Sequence, residues 1–232
     1  MKKKIVVLLP MKANSTRVKG KNFRDFCGKP LFRWILDSLL AVEDIDQIVI
    51  NTDARDILAE NGLVGTDRIL IRDRKKEICG DEVSMNRVLA DDVENVEADI
   101  YLMTHTTNPL LSSNTIKQAI NQYNEELASA SADSLFTVNK IQTRFYTAKC
   151  EPINHDPDNL IPTQDLEPWF EENSNLYLFN RESFAKTNAR IGAKPSMMVS
   201  PAMECSDIDT PDDWDQAVVM THYMLEKGFV KL

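Results

Sequence analysis

Apolar positions along the chain follow two alternating rhythms. Short aliphatic runs at residues 5–9, 47–52, 69–71 and 100–104 have the length and β-branched content of buried strands. Between them, apolar residues recur at helical spacing. Leu31, Ile35, Leu36, Leu39 and Leu40 follow Pro30, a residue suited to a helix start, and an acidic helix after Asp53 stops at Asn61 and Gly62. Val88, Leu89 and Val93 share a face behind Ser84, and Ile116 and Ile120 do so behind Ser112 or Ser113. Strand and helix alternating at such short intervals predict a Rossmann-like α/β fold, a mostly parallel sheet with helices on both faces and right-handed crossovers.

From about Ser134 the rhythm changes. Strands are predicted at 135–138 and 144–149, whereas 151–169 is rich in Pro, Asp and Asn and nearly aperiodic. Residues 139–172 therefore read as an insertion in a single domain spanning 1–232, and a loop of that length points to a binding or interface role. The sheet resumes at 176–179, and Trp214, Ala217, Val218 and Met224 mark a last amphipathic helix behind Pro211.

Composition narrows the function. With 43% hydrophobic and 27% charged residues among 232, the chain is an ordinary globular one, and no apolar run approaches the ~20 residues of a membrane helix. The run at 5–9 is broken by Pro10 too soon for a signal peptide, so a cytoplasmic protein with no membrane partner is expected. Cys27, Cys79, Cys150 and Cys205 form no CxxC pair and read as reduced thiols. A net charge of −9 argues against nucleic-acid binding.

Against that acidic balance, Leu9-Pro-Met-Lys-Ala-Asn-Ser-Thr-Arg-Val-Lys-Gly-Lys-Asn22 gathers Lys12, Arg17, Lys19 and Lys21 in one loop after the first strand. In open α/β sheets ligands bind at that edge, and clustered cations point to an anionic one. Neither GxxxxGK[ST] nor GxGxxG is present, so side-chain cations and backbone amides must make the phosphate grip. Asp207-Ile208-Asp209 sits before the last helix; carboxylates at i and i+2 on extended chain project to one side and suit Mg²⁺ held jointly with substrate phosphates. Asp212 and Asp213 read as helix caps.

The basic loop resembles the opening signature of the acylneuraminate cytidylyltransferases, I-P-A-R-x-x-S-x-R-x-x-x-K-N, at Pro10, Ser15, Arg17, Lys21 and Asn22. Gly28 to Leu31 continues the match. Arg74-x-x-x-Ile78-x-x-Asp81-x-x-Ser84, Thr107-Asn108-Pro109-Leu110 and Asp207-Ile208-Asp209-Thr210-Pro211-Asp212-Asp213 resemble later motifs in the family's order. The resemblance implies a nucleotidyltransferase that joins CTP and a nonulosonic acid to give the CMP-sugar and pyrophosphate, with Mg²⁺ as cofactor. Carried over by position, Lys21 contacts the triphosphate with help from Arg17 and Lys12. Asn22, Arg74 and Ser84 hold the cytidine, and Asp207 and Asp209 bind the metal. Asp209 or a metal-bound hydroxide takes the sugar hydroxyl's proton as it attacks the α-phosphorus in line.

The chain departs from the pattern where Lys12 stands for Arg, His105 for Gln and Leu111 for Arg; the last two positions lie toward the sugar in the family. The insertion interleaves polar and aromatic groups, so His105, Arg144, Gln164 and Tyr177 are expected on the sugar side, with Arg144 pairing the carboxylate. For Tyr177, Trp169 and Phe170 packing in a core or interface is the competing reading. The resemblance also assigns this region to a homodimer contact. A 3-deoxy-octulosonate cytidylyltransferase, a GT-A glycosyltransferase and a nucleotide-binding regulator without turnover are the other readings.

Overall fold

The computed structural model describes residues 2–230. Its centre is a seven-stranded sheet. The strands are β1 (Ile5–Leu8), β4 (Gln47–Thr52), β5 (Ile69–Asp73), β6 (Ile100–Thr104), β7 (Ser134–Ile141), β8 (Trp169–Phe179) and β9 (Pro195–Val199), in the order β5-β4-β1-β6-β8-β7-β9. Every pairing is parallel except those of β8 with β6 and β7, so the sheet is mostly parallel. A small antiparallel ribbon joins β2 (Asp25–Phe26) to β3 (Lys29–Pro30).

Helices cover both faces. On one, Ile5, Val7, Ile48 and Ile50 pack with α1 (Leu31–Leu40), α2 (Arg55–Glu60) and α4 (Ser113–Ala128), through Ile35, Leu39, Leu58, Ile116 and Ile120. On the other, Val6, Leu8, Val49, Tyr101 and Met103 meet α3 (Met85–Asn95) and α5 (Arg181–Thr187) through Leu89, Val93 and Phe184. The α/β expectation holds, and the period-two alternation of β1 between these clusters is its physical basis.

A third cluster matters for function. Val18 of the basic loop packs with Phe26, Trp34, Ile208 and Trp214, the last on α6 (Pro211–Glu226). Burying Val18 and Ile208 together brings the basic loop against the aspartate segment 190 residues later. Thr210 and Asp213 form a capping box at the start of α6, so Asp213 acts as the helix cap expected of it.

Three expectations are corrected. Residues 144–149 form no strand: Tyr146 makes one bridge to Pro152, and a turn closed by Cys150 N to Thr147 O (2.9 Å) occupies the place. The segment 139–172 is no uniform loop, because β7 runs on to Ile141 and β8 begins at Trp169, pairing in register from Ile141↔Trp169; the irregular arm spans 142–168. Ser84 is the residue before α3, but its side chain makes no cap hydrogen bond. The sequence reading also passed over α5 and β9; β9 is an edge strand with only alternate positions partly covered, a weak apolar signal.

Candidate active site

At the carboxyl ends of β1 and β6 lies a cavity of about 340 Å³, lined by Lys12, Arg17, Lys21, Asn22, Arg74, His105 and Asp209 among others. Seven of the residues expected from sequence thus meet in one place.

The basic loop is held by backbone turns. Phe23 N and Arg24 N both donate to Gly20 O (3.1 Å each), with Gly20 at φ 63°, a conformation that favours glycine. That turn drives Lys21 inward to 7% exposure. Its ammonium donates to Ile208 O and lies 3.2 Å from Asp209 Oδ1, which Arg17 also approaches at 3.0 Å. Asn22 ties the loop to the sheet: its Nδ2 donates to Lys12 O (2.8 Å) and its Oδ1 accepts from Thr106 Oγ1 (2.7 Å). Lys12 reaches across to Asp81. Lys19 does not line this cavity; it borders a separate one with Arg24 and Trp214.

Arg74 enters from β5. Its Nε donates to Asn51 Oδ1 (2.9 Å), and Nη2 donates to Asn51 O (2.7 Å) and Met11 O (3.2 Å). Asn51 is held in turn by Asp92 (2.8 Å), which pairs with Arg72. Sequence reading missed Asn51 and Asp92; Asn51 ends a strand at the ligand edge, the one signal that pointed to it. Ser84 is exposed, one residue before the cavity-lining Met85.

Burial pushes Asp92 up to about 6 against the pull of Asn51 and Arg72. A carboxyl raised in the folded state contributes stability that is complete below its unfolded value near 4 and lost as the pH rises through about 6. Asp92→Asn removes that dependence. Urea unfolding should show the variant gaining on the parent by roughly 2 kcal/mol between pH 4 and 7.5; a difference flat across that range rejects the assignment.

His105 directly follows β6, half-buried on the cavity wall. Burial, with Arg190 and Lys21 nearby, lowers it to about 3, so its imidazole is neutral at physiological pH. Its Nε2 lies 3.4 Å from Arg190 Nη1. Arg190 also stacks 3.8 Å over the ring of Tyr177 and lies 3.4 Å from Glu172. It too escaped the sequence reading, because the segment between α5 and β9 carries no motif.

Asp207 and Asp209 do not share a cavity. Asp209 faces the basic loop, whereas Asp207 lines a second cavity of about 330 Å³ with Glu171, Glu172, Asn173 and Asp213. Burial raises the Asp207 carboxyl, the hydroxyl of Thr107 eases it and the charge of Asp209 adds to it; its Oδ1 is buried without a hydrogen-bond partner. Arg144 and Gln164 lie on the arm, away from both cavities. Arg144 donates to Ile161 O (2.6 Å), and the Gln164 carbonyl accepts from Gln142 (3.0 Å). Tyr177 is fully buried and its hydroxyl donates to Glu172, which agrees with the packing alternative for its ring.

A sequence model described as cytidylyltransferase matches residues 6–210. The chain belongs to the cytidylyltransferase family. The enzyme is 24% identical to a pseudaminic acid cytidylyltransferase of Campylobacter jejuni subsp. jejuni over 97% of this chain and all of that one. It is 26% identical to a CMP-N,N'-diacetyllegionaminic acid synthase of Legionella pneumophila subsp. pneumophila over 91% of this chain and 93% of that one. In fold it resembles a CMP:2-keto-3-deoxy-manno-octonic acid synthetase solved with CTP, at TM-score 0.65 and 16% identity, covering 95% and 99% of the two chains. As a member of this family it is a nucleotidyltransferase.

Proposed function

We propose that the enzyme activates a nonulosonic acid with CTP, releasing pyrophosphate and forming the CMP-sugar. The observation that carries this reading is the meeting of Lys12, Arg17, Lys21, Asn22 and Arg74 in one cavity with Asp209 and His105 on its wall. Lys12, Arg17 and Lys21 supply positive charge for a triphosphate. Arg74, fixed through Asn51, presents a planar donor to the nucleoside, with Asn22 on the same cavity lining. In-line displacement at the α-phosphorus demands mainly positioning and charge neutralisation, which these groups provide. Both full-length relatives are named for nonulosonic acids, which favours that sugar class.

Asp209 is the residue of the basic cavity that would hold Mg²⁺ there. Asp207 lines the neighbouring cavity, and the repulsion from Asp209 and its unpartnered Oδ1 would suit a cation on that side. Among the described residues no three His, Cys, Asp or Glu side chains group around one point, so phosphate oxygens and water would complete the shell. When bound, the ion would polarise the phosphoryl oxygens. Asp209 is the candidate to accept the proton of the attacking hydroxyl.

Incubation with CTP, Mg²⁺ and a panel of nonulosonic and octulosonic acids, with pyrophosphate release as the readout, tests the reading. Turnover is expected with a nonulosonic acid, and with CTP over ATP, GTP and UTP. CTP binding without release across the panel makes the protein a regulator instead.

We further propose a homodimer formed through the arm. Tyr146, Ile153, Leu160 and Ile161 of the arm, and Trp169 and Phe170 where β8 begins, are 39–60% exposed, an unusual density of large apolar groups along this stretch. Phe145 and Trp169 stack at 4.9 Å, giving that surface a rigid aromatic base. Light scattering after gel filtration should give twice the chain mass, and Ile153→Glu with Phe170→Glu should return it to one; an unchanged mass overturns the interface. No helix among the described residues is long and apolar enough to cross a membrane. Four free cysteines support a reducing, cytoplasmic setting.

A further inference from the structure

The guanidinium of Arg190 is held from several directions. It stacks on Tyr177 of β8 at 3.8 Å, and its Nη2 lies 3.4 Å from Glu172, whose carboxylate also takes the Tyr177 hydroxyl. Its Nη1 faces Met103 Sδ at 3.8 Å and His105 Nε2 at 3.4 Å. The chain around it is pinned as well. Asp133 accepts from Ala193 N and Lys194 N (3.0 Å each), and Ser134 Oγ accepts from Gly192 N (2.8 Å). A Cβ at Gly192 would stand 2.2 Å from the Asp133 carboxylate, so this close approach requires glycine.

That much fixation ends on one side chain of the cavity wall. Arginine has no acceptor and stays protonated, so the imidazole nitrogen facing it must be the acceptor, and the proton of the neutral ring sits on Nδ1. Among the described residues Nδ1 of His105 has no hydrogen-bond partner, although His105 lines the cavity beside Thr106, Thr107 and Asp209. Nδ1 is not among the buried orphaned atoms, so it is open to solvent or to a ligand.

We propose that Arg190 is a positioning residue for acceptor-sugar recognition: it fixes the His105 tautomer so that Nδ1–H donates to an oxygen acceptor of the sugar, a carboxylate or hydroxyl oxygen. The proposal rests on the sugar-activating reading above. It assigns the chemistry of the sugar wall to His105 and Arg190 instead of Arg144, which lines neither cavity and donates to Ile161 O within the arm.

Two measurements test it. Imidazole ¹⁵N spectra at pH 7.5, free of substrate, should show the His105 proton on Nδ1 in the parent and a mixture of tautomers in Arg190→Met. In steady-state kinetics Arg190→Met and His105→Phe should each raise the sugar KM about tenfold with CTP affinity within twofold. The double variant should be little worse than either, and Arg190→Lys should recover part of the loss. Additive losses, a proton on Nε2, or an unchanged sugar KM in His105→Phe overturns the proposal. Should Arg190→Met fail to fold, His105→Phe and the parent spectrum still decide. Absence of turnover with every nonulosonic acid in the parent defeats both the functional reading and the sugar contact, whereas a proton on Nε2 in an active parent defeats this inference alone.

Discussion

Lys21→Gln is expected to lower kcat for CTP-dependent turnover by about 10²- to 10³-fold, the loss typical of removing one preorganised group from a developing charge. Lys21 is the most buried cation of the basic loop, at 7% exposure, and among the described residues its ammonium hydrogen-bonds only to Ile208 O and Asp209. A charge kept in such a partly dry wall acts on phosphate oxygens with less screening than a surface lysine. Glutamine preserves a donor toward the Ile208 carbonyl but removes the charge, so folding should survive while catalysis fails. Lys19→Gln deletes the same charge from the same loop on its outer groove, and less than about threefold loss is expected there. The check is initial rates at varied CTP beside thermal melting. If Lys21→Gln retains turnover within threefold of the parent, or if the Lys19 variant suffers equally, the loop acts through its summed charge and Lys21 has no special place.

The contrast between these lysines also shows which parts of the fold could be read from sequence. Strands 47–52 and 100–104 were legible to the residue, because a run buried on both faces is apolar throughout and ends where the polar ligand edge begins. The joining of Lys21 to Asp209 was legible only through motif order, since the contact spans 188 residues and depends on Val18 and Ile208 sharing a cluster that no local pattern announces. The Asn51–Asp92–Arg72 support of Arg74 was invisible for the opposite reason: buried polar groups inside otherwise apolar elements look like interruptions until their partners are known. The arm misled because Phe145 and Tyr146 have strand propensity, yet this segment offers them no neighbouring strand to pair with, and side-chain preference without a partner makes no ladder. Arg190 had no signal at all, being a lone cation whose meaning comes from the tyrosine, glutamate and histidine around it.

Asp209 carries the second large effect, through the company it keeps before substrate arrives. Arg17 at 3.0 Å and Lys21 at 3.2 Å occupy its Oδ1, so two cations already compete with a divalent ion for this carboxylate. On the proposed reading a triphosphate entering the loop would offer those two cations a stronger partner, and Asp209 would then be released to hold Mg²⁺. Nucleotide and Mg²⁺ should therefore stabilise the fold cooperatively, and by reciprocity each should tighten the other. Thermal melting is expected to show almost no shift with Mg²⁺ alone, a modest one with CTP and chelator, and a larger one than their sum with both. Asp209→Asn should abolish the excess and reduce kcat at least 100-fold, while Asp207→Asn should mainly raise the Mg²⁺ concentration for half-maximal rate, by about tenfold. Chelation should silence the parent enzyme. Strictly additive melting shifts in the parent, or Asp209→Asn turning over normally at saturating Mg²⁺, would remove both the metal role and the exchange of cations on which it depends.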